Sequence, residues 1–191
     1  MLVVPEIFRS FNFLGVDPGS MECGVSIYNI RDYKIASVEA LTLVTDKVCL
    51  RPSLSDEYHS DRQLRLEKLC LAFRQILETH MPVLVACESP FFNPSRPGAF
   101  GSLTEVMTLL RMTTIGFSPV VRFVVFAPQE VKQTFKRSGQ KGKIVMKEAL
   151  AENQDLMSKL IVPFELLDEH SVDAIAVGYT WWINQLNGSH S

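Results

Sequence analysis

Cysteine is scarce in this chain, and the cysteines present do not form metal-binding motifs. Cys23, Cys49, Cys70 and Cys87 include no C-x-x-C pair, and no histidine sits at ligand spacing from any of them. That pattern excludes a zinc knuckle. Cys87 lies in an apolar run and reads as a buried, reduced thiol, which fits an intracellular protein. Long apolar runs are also missing. None approaches the ~20 residues needed to cross a bilayer, and residues 1–13 carry Glu6 and Arg9 rather than the features of a signal peptide. The expectation is a soluble, intracellular protein with no membrane partner. Repeats, low-complexity tracts and linker-like stretches are absent too, so residues 1–191 read as a single domain. An excess of positive charge is lacking as well. Nineteen Lys and Arg stand against 21 Asp and Glu, for a net charge of -2. Attraction of a polyanion by the whole surface is thereby excluded, and any phosphate-binding face has to be a local concentration of charge.

Hydrophobic residues make up 47% of the chain, enough for a full core. Apolar and β-branched patterning predicts strands over Phe11–Val16, Gly24–Asn29 and Lys34–Val44. The short gaps between them favour an antiparallel meander. Arg51–Asp61 is polar and reads as a loop. Leucines at helical spacing predict a helix over Arg62–His80, stopped by Pro82. Val83–Cys87 is a continuous apolar run, as in a buried parallel strand. Ser89–Gly101 reads as a loop, followed by a helix over Leu103–Ile115 with Ser102 as its N-cap. A strand over Val120–Phe126 comes next, then helices over Gln129–Phe135 and Ile144–Glu152 around a Gly- and Lys-rich turn at Ser138–Lys143. Asp168–Leu186 reads as a terminal helix. The order predicts an α/β fold, a mixed five-stranded sheet with helices on its faces.

Acidic residues fall at telling places in this order. Asp17 ends the first strand and Glu88 ends the fourth. Asp173 lies in the first turn of the last helix, with His170 three residues before it on the same face. If the first and fourth strands are parallel neighbours, both carboxylates emerge at the edge where open α/β sheets bind ligands. Each residue has a plainer reading: Asp17 in a turn, Glu88 on the surface, Asp173 in a helix cap, His170 as a surface histidine. Together they point further, because crowded carboxylates repel unless cations hold them. All-oxygen sites suit magnesium or manganese. Two such ions roughly 4 Å apart clamp an in-line displacement at phosphorus.

Phe13-Leu14-Gly15-Val16-Asp17-Pro18-Gly19-Ser20, with Gly24 following, resembles the opening motif of RuvC-type Holliday junction resolvases. Glu88-Ser89-Pro90-Phe91-Phe92 resembles the second acidic motif of that family. Ala127 to Gln133, then Gly142-Lys143, resembles its DNA-contacting segment, and Glu169-His170-Ser171-Val172-Asp173-Ala174 its closing motif. The likeness runs from about residue 11 to about residue 183. It implies a ribonuclease H-like fold, a homodimer, and magnesium- or manganese-dependent cutting of four-way DNA junctions. By position it implies Asp17, Glu88, His170 and Asp173 as the active-site and metal-binding set, with His170 either a metal ligand or a helper in activating water. It also implies Lys132 and Lys143 as DNA contacts and Phe91 as the aromatic that probes the junction centre. The chain departs from the family pattern at Ser20-Met21-Glu22-Cys23-Gly24, where a Thr more often precedes that Gly, and in the Pro-rich stretch after Phe92.

The residues themselves agree with that placement. Lys132, Lys136, Arg137, Lys141, Lys143 and Lys147 form a basic stripe flanked only by Glu130 and Glu148, a credible phosphate track or else a solvated helix face. Phe91 and Phe92 sit in the loop beside Glu88, where at least one exposed ring could stack on opened bases. The expected activity is metal-dependent cleavage of phosphodiesters in branched DNA by two ions per site, most simply paired nicks in four-way junctions. A broader flap or branch nuclease of the same fold, a non-catalytic junction-binding module and an actin-like phosphotransferase are the rival readings. The last fits poorly, since the chain is short and lacks a second phosphate-binding Gly loop.

Overall fold

Alternation of apolar side chains over the first part of the chain produces three antiparallel strands: β1 (Ser10–Asp17), β2 (Glu22–Arg31) and β3 (Lys34–Val44). The computed structural model describes residues 9–47, 60–92, 94, 97–137, 139 and 144–188. β2 and β3 are joined by Asp32 and Tyr33, both with positive φ (47° and 59°). A two-residue connection of that hand matches the twist of the strands it joins. A register shift at Asn29/Ile30 marks an irregularity in the β2–β3 ladder.

Ser60 starts α1 (Asp61–His80) with a reciprocal capping box. Its hydroxyl accepts from the Gln63 amide, and the Gln63 side chain accepts from the Ser60 amide. Met81 ends the helix in the left-handed conformation, its N–H donating to the Leu77 carbonyl, and Pro82 bars continuation. The chain then enters β4 (Leu84–Glu88), parallel to β1. α2 (Pro97–Phe117) crosses back to β5 (Arg122–Phe126), parallel to β4. α3 (Pro128–Thr134), α4 (Ile144–Ala151), a short α5 (Gln154–Met157) and the long α6 (Glu169–Gly188) complete the chain. The sheet order is β3-β2-β1-β4-β5, the mixed five-stranded sheet that the pattern predicted.

The two-residue period of the strands sorts the core into two faces. Phe13, Tyr28, Leu84 and Ala86 face α6, where Ile175, Ala176 and Trp181 are buried against them. Leu14, Val16, Val25, Val85 and Cys87 face α1 and α2, meeting Leu69, Phe73, Leu77, Val106 and Leu110. α6 lies unusually close to the sheet. A Cβ on Gly15 would stand 2.3 Å from the Ala174 carbonyl oxygen, and one on Gly24 2.0 Å from that of His170. Ser26 Oγ and Tyr28 Oη donate to the Ala174 and Ile175 carbonyls at 2.8 and 2.6 Å. Helix and strands are therefore joined by polar bonds as well as by apolar contact.

Several expectations are corrected. α2 begins at Pro97, so Ser102 lies inside the helix and is not its N-cap. Proline at the first position is pre-set for a helix, and Thr104 Oγ1 bonding the Phe100 carbonyl secures the early turn. β2 starts two residues before Gly24, and Val120 sits in the turn before β5 with 83% of its surface exposed. α5 and the 3-10 turn at Phe164–Leu166 were not expected; elements this short carry no readable periodicity. Ser60 and Asp61, expected in the loop, belong to the start of α1. Cys87 is fully buried, as expected. Cys49 and residues 51–59 of the expected loop lie outside the described residues. Among the described residues, no helix is long and apolar enough to cross a membrane.

Candidate active site

Asp17 closes β1 and Glu88 closes β4. These strands are parallel neighbours with Val16 opposite Cys87, so the next residues, Asp17 and Glu88, come level at one sheet edge. Both continue the face that α6 covers: Phe13 and Gly15 lead to Asp17, and Leu84 and Ala86 to Glu88. The start of α6 brings its residues to the same edge. Asp168 Oδ1 caps the helix, accepting from the Ser171 amide at 2.8 Å, from Ser171 Oγ at 2.7 Å and from Thr42 Oγ1 at 2.7 Å. Burial acts to raise its carboxyl, but these hydrogen bonds prevail and hold it below its ordinary value.

His170 lies between two carboxylates. Its Nδ1 is 2.8 Å from Asp17 Oδ2, and its Nε2 is 3.2 Å from Glu22 Oε2. The hydrogen bond to Asp17 is the main force pushing the imidazole up to about 9. Burial opposes it, and the charges of Asp17, Glu22 and Asp168 add to it. Glu88 is pushed up to about 8, first by burial and then by the charges of Asp17 and Asp173, with Lys132 acting the other way. Asp173 rises to about 7 through burial and the charges of Asp17 and Glu169, opposed by His170 and Lys132. Burial is the larger cause in both, and the charge of Asp17 adds to each. Glu88, Asp173, Glu169 and Lys132 line a cleft of about 360 Å³ floored by Val131 and Met146.

An all-oxygen donor set of Asp17, Glu88 and Asp173 has the chemistry of a site for a hard dication. Among the described residues, no three Asp, Glu, His or Cys side chains are already gathered closely enough to hold an ion. Glu88 and Asp173 line the cleft and Asp17 stands at the same sheet edge, their backbones fixed by adjacent strands and a capped helix.

The model of the family described as crossover junction endodeoxyribonuclease RuvC matches residues 13–181. The chain belongs to the RuvC family. It is similar to the crossover junction endodeoxyribonuclease RuvC of Geotalea uraniireducens (strain Rf4), 26% identical over 164 residues that cover 86% of this chain and 84% of that protein. Its fold matches Thermus thermophilus RuvC solved in complex with a Holliday junction substrate, with a TM-score of 0.66 at 16% identity over 93% of this chain and 96% of that one. It also matches the yeast mitochondrial Holliday junction resolvase Ydc2, with a TM-score of 0.58 at 13% identity over 92% of this chain and 80% of that one. As a RuvC-family member the chain is a hydrolytic endonuclease, in a family that depends on divalent metal.

In this RuvC-family chain the four residues singled out from the sequence, Asp17, Glu88, His170 and Asp173, meet at one sheet edge. Lys132 lines the cleft beside Glu88 and Asp173. The rest of the basic stripe divides. Lys136 is exposed, in a left-handed backbone conformation. Arg137 pairs with Glu152 at 2.5 Å. Lys147 donates to the Leu167 carbonyl at 3.1 Å with its ammonium over the Phe164 ring, bracing the approach to α6. Lys141 and Lys143 lie outside the described residues. Phe91 and Phe92 are both exposed, at 64% and 53%, and Phe92 meets Phe100 edge-on. The sequence reading missed Glu22, Asp168 and Thr42. Glu22 did stand in the stretch that departs from the family pattern, which was its only signal.

Proposed function

We propose that this chain resolves four-way DNA junctions, acting as a symmetric homodimer that makes one hydrolytic nick per subunit. Residues 1–191 then form a single nuclease domain. The observation that carries the reading is that the parallel register of β1 and β4 and the start of α6 bring Asp17, Glu88 and Asp173 to one sheet edge, where Glu88, Asp173 and Lys132 line a common cleft. Family membership and the printed names of the relatives support the substrate. Paired nicks of matching polarity follow from two sites related by a twofold axis.

In this reading Asp17, Glu88 and Asp173 would hold two magnesium ions, or manganese in their place. When bound, such ions activate water and stabilise charge at the phosphorus. Asp17 is held in place by its hydrogen bond with His170. Lys132 sets positive charge beside the cleft, where a scissile phosphate would otherwise meet only carboxylates. Lys136, Arg137, Lys141 and Lys143 follow the flanking backbone. Phe91, beside Glu88, stacks on bases opened at the branch point.

The test is nicking of an immobile four-way junction, a flap and plain duplex, with magnesium, manganese or chelator. Paired, symmetric, metal-dependent nicks confined to the four-way junction are expected. Equal cutting of flaps would reassign the chain to a broader branch nuclease. Asp17→Asn is expected to lower cutting by about 10²–10³-fold or more, the scale of losing a key electrostatic group, while junction binding by gel shift persists. Loss of both would undo the assignment of Asp17 to the chemistry.

A further inference from the structure

The end of the sheet away from the catalytic cleft carries two hollows that the nuclease reading does not use. Phe11, at this end, stands six residues from Asp17 along β1, about 20 Å at the usual rise of a strand. The larger hollow, about 600 Å³, is lined by Phe11, Val83, Val120, Trp181, Trp182 and Leu186, with Arg122 beside them. The smaller, about 250 Å³, takes in Lys34, Lys159 and Asp155. Tyr33, Trp182 and Leu186 border both.

Apolar side chains are left facing water here. Val120 is 83% exposed, and Tyr33, Val83 and Leu186 are each more than two-fifths exposed. Such residues scattered singly mean little, but gathered around one hollow they mark an interaction surface. Tyr33 also holds a left-handed backbone, with φ 59°, which a bulky side chain adopts only under strain. The Asp32 amide ties the same turn to β1 by donating to the Arg9 carbonyl at 2.7 Å, so the Tyr33 ring is held between the two hollows. Charge around them is one-sided. Arg122, Lys34 and Lys159 form no ion pair among the described residues, and Asp155 is the one acid among the described lining residues.

We propose that this end of the molecule docks an acidic peptide segment of a partner protein, which seats an aromatic or branched aliphatic side chain in the larger hollow and sets its carboxylates against Arg122, Lys34 and Lys159. Apolar anchors supply affinity in such contacts, and charges supply orientation. A second copy of the chain fits less well, because a twofold contact would set the basic rim against itself. A nucleic-acid backbone matches the charge and leaves the apolar hollows unfilled. Docking at this end leaves the catalytic cleft open, so the partner recruits the nuclease without blocking it.

The test selects a random-peptide phage library on the full-length chain, then titrates the enriched peptides, synthesised without tryptophan. Trp181 and Trp182 are the only two tryptophans in the chain and both line the larger hollow, so their emission reports occupancy without a label. The enriched peptides are expected to combine acidic residues with Phe, Leu or Ile, to shift tryptophan emission saturably, and to bind more weakly as salt is added. Arg122→Glu and Val120→Asp are each expected to weaken binding about tenfold or more. Both residues are exposed, so the variants are expected to keep the wild-type melting temperature and junction cleavage. Enrichment of basic or uncharged peptides, no enrichment at all, or equal affinity for the variants would overturn the proposal. Self-association that Val120→Asp abolishes would reassign the surface to a second copy, and displacement of the peptides by junction DNA would reassign it to nucleic acid; either would overturn the peptide reading.

Discussion

Replacing Glu88 with Gln is expected to stabilise the fold at alkaline pH while abolishing cutting. Glu88 is held at about 8 against an ordinary 4.5. A carboxyl raised on folding contributes stability that is fully present below its unfolded value and is lost as pH rises through its folded value, because the folded state keeps the proton longer. The window for Glu88 thus runs from about pH 4.5 to about pH 8. At about 1.4 kcal/mol per pKa unit, the whole rise corresponds to about 5 kcal/mol. The cleft is open to water and ions, and screening there reduces the effect to roughly 2–3 kcal/mol. For a chain of this size that is about 5–10 °C in Tm. The assay is thermal melting in chelator at pH 5 and pH 8.5. Wild type is expected to lose Tm between the two. Glu88→Gln should lose distinctly less and melt higher than wild type at pH 8.5. Added magnesium should raise the wild-type Tm at pH 8.5 and leave the variant nearly unchanged. Parallel pH profiles for the two proteins, or a variant less stable than wild type at pH 8.5, would refute the claim that Glu88 is an uncompensated acid in this cleft.

Other expectations follow from packing and exposure. Gly24→Ala places a methyl group 2.0 Å from the His170 carbonyl oxygen; overpacking against backbone is expected to destabilise the fold by about 3 kcal/mol, read by denaturant unfolding, and to lower cutting further by shifting His170. Phe91→Ala is expected to leave Tm within about 1 °C, since the ring is exposed, and to slow four-way junction cleavage more than it weakens duplex binding. A ring that serves only to anchor its loop would instead lower Tm.

Much of the fold was legible because its signals are long. Twenty residues of α1 with regularly spaced leucines, and apolar strands ending in Asp17 and Glu88, leave few alternatives. The convergence of Asp17, Glu88, His170 and Asp173 was legible for the same reason: a strand end and a helix start are positions that topology brings together. What escaped the sequence depends on contacts between distant segments. Nothing local marks Thr42 as a partner of Asp168, since that bond joins β3 to the start of α6 across 126 positions of sequence. Glu22 shows only as part of a departure from the family pattern until the turn after Asp17 is seen to fold back toward α6. Charge spacing reports sign and not direction, so the contacts of the Lys147 ammonium with Phe164 and Leu167 appear only in the structure. The start of α2 was misplaced because Gly98 and Gly101 argue for a loop, whereas the proline-led first turn forms despite them.

The seating of α6 bears on how the site can be altered. Gly15, Gly24 and Gly178 let the helix backbone approach the first two strands closely, and a Cβ on Gly178 would stand 2.3 Å from the Tyr28 ring. Ser26 and Tyr28 grip two consecutive carbonyls of the same helix. The helix is thus keyed along its axis as well as across it: sliding by a single turn, about 5.4 Å, would break both bonds at once. The interval between Asp17 on the strand and Asp173 on the helix is a fixed gauge, set by three missing side chains and two hydroxyls. Adaptation to a different nucleic-acid shape is left to the loops around this gauge, and retuning the gauge itself would require changing a glycine and its facing residue together.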